Sequence, residues 1–354
     1  MSLSNHPLHR SGRGFSLVEI MIAVVVGMLG ILIIMQVFLV AEGQKRTTTG
    51  GADAQENALM TMFTLEREFR IAGLGLVVGP PPVGVGMDCT TVNSYNGAAA
   101  YSFSPWPVTI ARDTPAAGSD RITVVYSTSA FGNIPTTLKA QAPNSNIAFT
   151  VANGDGFEVG NLVIVSEPGM DCTVAQISAT KVASGSYWDL AHTGLTYNPG
   201  GNNFPPSGYN ADTSRLTNMG SMVNHEYYVA NNNLMMRDVN LPNSATNPIA
   251  LVSGVVSIRA QYGRDTTVPP DGWVDVWDNT NPASATDVVA VRFAVVARSG
   301  QLENTAVSPA TLVLWNGGTT ANGGAITLDA TARTYRYKTY QTTIPLRNVI
   351  WNSN

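Results

Sequence analysis

The strongest pattern in the chain is the run from Ile20 to Ala41, in which Gln36 is the only strongly polar residue. As a helix these residues span roughly 33 Å at ~1.5 Å per residue, enough to cross a bilayer core. Thr47-Thr48-Thr49-Gly50-Gly51 then predicts a kink or a locally melted segment, since β-branched residues and glycines both weaken a helix. Asp53-Ala54-Gln55-Glu56 resembles a capping box and should restart it. Ala58, Leu59, Met62, Phe63, Leu65, Phe69 and Ala72 recur at three- and four-residue spacings, which predicts an amphipathic helix laying that stripe on a globular domain. Gly73 is the natural C-cap.

After Gly79-Pro80-Pro81-Pro82, which breaks the chain, the pattern turns to strands. Candidates are 121–127, 161–167, 226–230, 234–237, 252–262, 288–298 and 333–343. Asn231-Asn232-Asn233 suits a short hairpin turn. In the 288–298 segment Val289, Val291, Phe293, Val295 and Ala297 alternate as one buried sheet face requires, while Arg292 and Arg298 mark the other face as partly wet. Tyr335, Tyr337 and Thr339 alternate with Arg336, Lys338 and Tyr340, as in a half-exposed strand.

Composition sharpens this picture. The 354 residues are 44% hydrophobic, so a substantial core can form, but only 12% are charged. A net charge of −4 argues against a general nucleic-acid binder. Residues 1–14 carry Arg10 and Arg13 and no acid, so that basic flank should stay cytoplasmic and the remainder should lie outside. A secretory signal would have an apolar stretch of about 7–15 residues and a small-residue cleavage site. Here the run is longer, and Glu42-Gly43-Gln44-Lys45-Arg46 follows it. An ordinary single-pass anchor is the stronger alternative.

Glu19 separates an anchor from something more specific. An acid at the centre of a membrane helix costs roughly 2.5–3.5 kcal/mol on insertion scales, which a long apolar run absorbs but a plain anchor does not need. Gly14-Phe15-Ser16-Leu17-Val18-Glu19 is similar to the cleavage signal of type IV pilins and pseudopilins. The resemblance implies cutting between Gly14 and Phe15 by a prepilin peptidase, methylation of the new Phe15 amine, and pairing of Glu19 with the Phe15 amine of a neighbouring subunit. It implies an α+β, type IV pilin-like fold with no cofactor. The corresponding divisions are a leader at 1–14, a membrane and assembly helix at 15–41, its amphipathic continuation at 42–75, and a β-rich globular domain at 76–354.

Further segments resemble the PilW-type minor pilins. They are Gln55-Glu56-Asn57 with Arg70-Ile71-Ala72-Gly73; Tyr227-Tyr228-Val229 with Leu234-Met235-Met236-Arg237; Leu251-Val252-Ser253-Gly254-Val255; Gln261-Tyr262-Gly263 with Asp265-Thr266; and Leu346-Arg347-Asn348. Each is short, but their order follows almost the whole chain. A long polar insertion around 90–225 and the Pro80-Pro81-Pro82 break depart from the family pattern, so the resemblance leaves the middle third uncovered. It implies as partners other minor and major pilins, the prepilin peptidase, the inner-membrane assembly platform and a tip adhesin, with no direct contact to nucleic acid. It places the chain in the inner membrane first and at or near a fibre tip afterwards, with roles in twitching motility, adhesion or DNA uptake.

Gly-Met-Asp-Cys-Thr occurs at 86–90 and at 169–173, and an oxidising compartment would favour a Cys89–Cys172 disulfide. Two cysteines without nearby histidines lack the ligands for a metal site. Asp265, Asp271, Asp275 and Asp278 form an oxygen-rich loop that is a weak calcium candidate, though its spacing does not fit an EF-hand. Trp273 and Trp277 in that loop are either contact residues or packing residues. His192 and His225 are the only histidines outside the leader, and no hydrolase elbow, phosphate loop or zinc-protease motif is present. His225-Glu226 reads as the start of a strand. The alternatives left open are a J-type minor pseudopilin of type II secretion and a membrane-tethered periplasmic binding protein or adhesin.

Overall fold

A computed structural model describes residues 14–76, 87, 89–112, 118–130, 134–198, 204–241, 248–269, 271–281 and 287–350. Arg10, Arg13 and the expected break at Gly79-Pro80-Pro81-Pro82 lie outside them. The chain divides into two units between Gly50 and Gly51. It has one long N-terminal helix, Leu17–Ile71, followed by a β-rich domain.

In the first unit the most apolar window of the helix has none of its residues buried. The expected melting at Thr47–Gly51 does not occur, since those residues are helical and the Asp53 box lies inside the helix rather than starting one. Thr48 donates its hydroxyl to the Gln44 carbonyl at 3.0 Å, a bond that satisfies a polar side chain without leaving the helix. Propensity penalties of at most about 1 kcal/mol per residue are small enough for helix on both sides to override.

In the second unit the helix buries Ala54, Ala58, Met62, Leu65, Phe69 and Ala72. The expected stripe is wrong in two places: Leu59 and Phe63 point outward, Phe63 being 72% exposed, while the polar Thr61 and Glu68 take inward positions. The apolar spacing fits two adjacent faces, and a one-residue rotation around the helix decides between them. Gly73 ends the helix at φ +78°, as expected, and its N–H reaches the Val125 carbonyl at 2.9 Å.

Two antiparallel sheets share the core with this helix. One has the order Val276–Asp278, Val255–Arg264, Val288–Arg298, Tyr337–Pro345. The other has the order Ile249–Ser253, Asn233–Asp238, Val223–Ala230, Arg121–Tyr126, Val108–Ala111. Phe69 meets Phe293 edge-to-face with ring centroids 4.9 Å apart, joining helix to sheet at the centre. The hairpin turn uses Asn231 and Asn232 at φ +51° and +59°, and Asn233 already belongs to the strand.

Two strand expectations need correction, and a third holds at two residues only. The 252–262 segment is two strands, because Gly254 at φ +73° separates Ile249–Ser253 from Val255–Arg264. The 333–343 segment begins as a 3-10 turn at Ala332–Thr334, and the strand runs Tyr337–Pro345. The second face of Val288–Arg298 is partly exposed only at Arg292 and Arg298: between them Ala294 and Val296 are buried beneath Leu312, Leu314, Trp315 and Ile326. Arg292 lies 4.7 Å from each of the Trp277 and Trp315 rings, so its charge is held between aromatic faces.

The polar insertion is a β module. It supplies Val108–Ala111 and Arg121–Tyr126 to the central sheet and builds a six-stranded sheet that includes Val92–Tyr95, Cys172–Gln176, Leu162–Ser166 and Arg215–Gly220. Phe149, Val163, Leu190, Phe204, Tyr209 and Leu216 belong to its own core. Cys89 and Cys172 form a disulfide with Cα atoms 5.7 Å apart. The two cysteines are 83 positions apart, and closing a loop of that length stabilises a fold by roughly 2–4 kcal/mol.

Candidate functional site

Gly14, Phe15 and Ser16 have no regular structure, and the helix starts at Leu17. The Ser16 carbonyl accepts the Ile20 N–H at 3.1 Å, so the first intrahelical bond forms just after Phe15. Phe15 is 78% exposed, and a Cβ built on Gly14 meets none of the described residues within 4 Å. Those residues therefore do not themselves require glycine at 14. Glu19 lies in the first turn, where the positive end of the helix dipole favours a carboxylate. With Ala23 and Gly27 it borders a shallow strip along one side of the helix. Small residues at this spacing let a second helix approach closely.

The acidic loop is held by its own carboxylates. Asp265, 5% exposed, accepts N–H bonds from Thr267 at 3.1 Å, Asp271 at 2.9 Å and Gly272 at 2.6 Å. Asp275 accepts the Thr266 N–H at 2.7 Å and the hydroxyls of Thr266 and Thr267, both at 3.0 Å. These bonds hold the Asp275 carboxyl below the usual range. Asp271 accepts the Trp273 N–H at 2.9 Å, and Asp278 pairs with Arg264. The four acids thus serve different partners, and among the described residues no group of three or more acidic, histidine or cysteine side chains could hold a metal ion. The two tryptophans separate: Trp277 packs on Gly263 and Arg292, whereas Trp273 is 76% exposed.

The family-like segments in the second unit meet at structural joints. Gly254 faces Asn57, and a Cβ there would come within 2.9 Å of the Asn57 amide nitrogen. Tyr262 is fully buried, and its hydroxyl accepts the Ile110 N–H at 2.6 Å. Asn348 donates to the Ile71 and Ala72 carbonyls at 3.3 and 3.0 Å, satisfying groups that a helix end leaves open. Sequence reasoning overlooked two buried ionic groups. Arg259 and Asp120, 1% and 0% exposed at their side chains, pair at 2.8 Å, and Asp120 also accepts the Ala260 N–H at 2.9 Å. Glu68 accepts from Tyr126 at 3.1 Å and lies 3.6 Å from His225. A lone arginine inside an apolar strand and a lone glutamate inside an apolar helix stripe were the available signals. His225 and Glu226 do fall in a strand, where Glu226 pairs with Arg121 and Arg237. His192 is buried against Phe149, ring centroids 3.9 Å apart.

Comparison with known proteins bears on both ends of the chain. Residues 224–348 match the family described as Type IV Pilus-assembly protein W, and residues 9–35 match the prokaryotic N-terminal methylation motif. Among solved structures, a type IV-like pilin from Thermus thermophilus is similar at 12% identity and a TM-score of 0.36, covering 83% of this chain and 97% of that one. No curated protein sequence matches. The chain is thus similar to the N-terminal methylation motif at its start and to the pilus-assembly family W over its last third.

Proposed function

We propose that this chain is a minor pilin of the type IV pilus, a structural subunit that primes assembly and sits at or near the fibre tip. The observation that carries the reading is the order at the N-terminus. An unstructured Gly14-Phe15-Ser16 precedes a long apolar helix that has an acid in its first turn.

Prepilin peptidase hydrolyses the Gly14–Phe15 bond and removes the leader with Arg10 and Arg13. The freed Phe15 amine is methylated and remains cationic. Before assembly the helix spans the inner membrane, with the β domain on the periplasmic side. In the fibre, Glu19 pairs with the Phe15 amine of an adjacent subunit, which offsets the cost of placing a carboxylate among apolar helices. Ala23 and Gly27 allow close helix contact beside that pair. The subunit works with other minor and major pilins, the assembly platform and a tip adhesin, in twitching motility, adhesion or DNA uptake.

Mass analysis of the N-terminal peptide of the protein from its native cells tests this reading. The expected product begins at N-methylated Phe15. Wild-type protein that keeps residues 1–14 would overturn it.

A further inference from the structure

We propose that residues 266–269 and 271–276, which follow Asp265, form a docking knob that inserts Val268 and Trp273 into an apolar pocket, rimmed by lysine or arginine, on another protein. The knob presents its largest apolar side chains to solvent: Val268 is 92% exposed, Trp273 76% and Val276 40%. These side chains are not exposed because the loop is loose. Buried Asp265 accepts three of its backbone N–H groups, Asp271 caps Trp273, and Asp275 ties down Thr266 and Thr267. The Asp275 N–H in turn reaches the Arg264 carbonyl at 2.9 Å, fixing the loop to the end of a sheet strand. Apolar groups held in place before contact lose little conformational freedom on binding, and tryptophan is enriched among such anchors.

Charge selects the partner. No lysine or arginine occurs from Asp265 to Thr280, and Asp271 and Asp275 are exposed beside the apolar tip. That acidic rim complements a basic one and disfavours anionic lipid. A glycan is a poorer occupant. Val268 is aliphatic, and the carboxylates that would bind sugar hydroxyls already accept the loop's own donors.

The test places a photo-cross-linker in the full chain in its native cells, as Trp273→p-benzoylphenylalanine. The expected result is an adduct with one other polypeptide, mapped to a peptide in which apolar residues adjoin lysine or arginine. The adduct should fall at least tenfold with Val268→Asp. It should also fall severalfold with Asp271→Asn, which keeps the acceptor for the Trp273 N–H and removes the charge. Absence of an adduct while the chain accumulates normally, an adduct with lipid or glycan, or one indifferent to both substitutions would overturn the proposal. The outcome is independent of N-terminal processing, because a chain that keeps its leader still carries the knob.

Discussion

Asn348 donates a hydrogen bond to the Ala72 carbonyl at 3.0 Å across 276 positions, so a residue near the C-terminus caps the C-terminal end of the long helix. Its second bond, to Ile71 at 3.3 Å, serves another open carbonyl of the same turn. Leu346 beside it is buried, and its N–H reaches the Val289 carbonyl at 2.8 Å. The closing strand and the helix end thus stabilise each other. Asn348→Ala should destabilise the second unit by about 1–2 kcal/mol, two ordinary hydrogen bonds' worth. Denaturant unfolding of the detergent-solubilised chain would read this, and an unchanged midpoint would show that the cap contributes nothing.

The Arg259–Asp120 pair leads to a larger effect. Arg259→Met should cost about 3–5 kcal/mol, because Asp120 would stay buried with Arg112, 3.6 Å away, as its remaining cation. Combining it with Asp120→Asn should recover part of that loss, since the buried carboxylate that lost its nearer cation is then neutral. A double variant as unstable as the sum of the singles would refute the coupling.

Glu68 makes the helix–sheet joint sensitive to acid. Burial raises its pKa, but the hydrogen bond and charge of His225, the Tyr126 hydroxyl and the charge of Arg67 together outweigh burial and bring it below 4.5. A carboxyl with a depressed folded value stabilises the fold above its unfolded value, and that contribution is lost as pH falls through the folded value. Stability should therefore decline as the solution is acidified below about pH 4.5, and Glu68→Gln should flatten that decline. The measurement is the unfolding midpoint at pH 7 and pH 3.5 for both proteins; parallel declines would exclude Glu68 as a contributor.

At the N-terminus, Gly14→Val should stop processing. Since none of the described residues crowds Gly14, a block would report the demands of the peptidase. Immunoblotting for the leader-bearing form checks this, and a mature-length product would contradict the assigned cut.

Glu19→Ala should leave cleavage intact and reduce incorporation into sheared fibres tenfold or more. Normal amounts of the variant in fibres would disprove pairing with a neighbouring amine.

The sequence by itself determined the helix, its C-cap at Gly73, the Asn231-Asn232 turn and the strands with a clear alternating period. Each is set by residues within a few positions of one another. The N-terminal signal was legible for the same reason: Gly14, Phe15, Glu19 and the apolar run form one local pattern. Only the tertiary structure decided which side of the helix is buried. Two overlapping apolar stripes were available, and the positions of Phe293 and its sheet selected the one through Phe69, leaving Leu59 and Phe63 outside. Tertiary structure also turned a polar-looking insertion into a module with its own core. Apart from the segments at 121–127 and 161–167, which the sequence offered, its strands are two to six residues long, too short for a period to stand out, and they become strands through partners distant in the sequence. The roles of Asp120 and Glu68 were hidden likewise. A carboxylate's role depends on the donors that surround it, and chain folding brings those donors from separate elements.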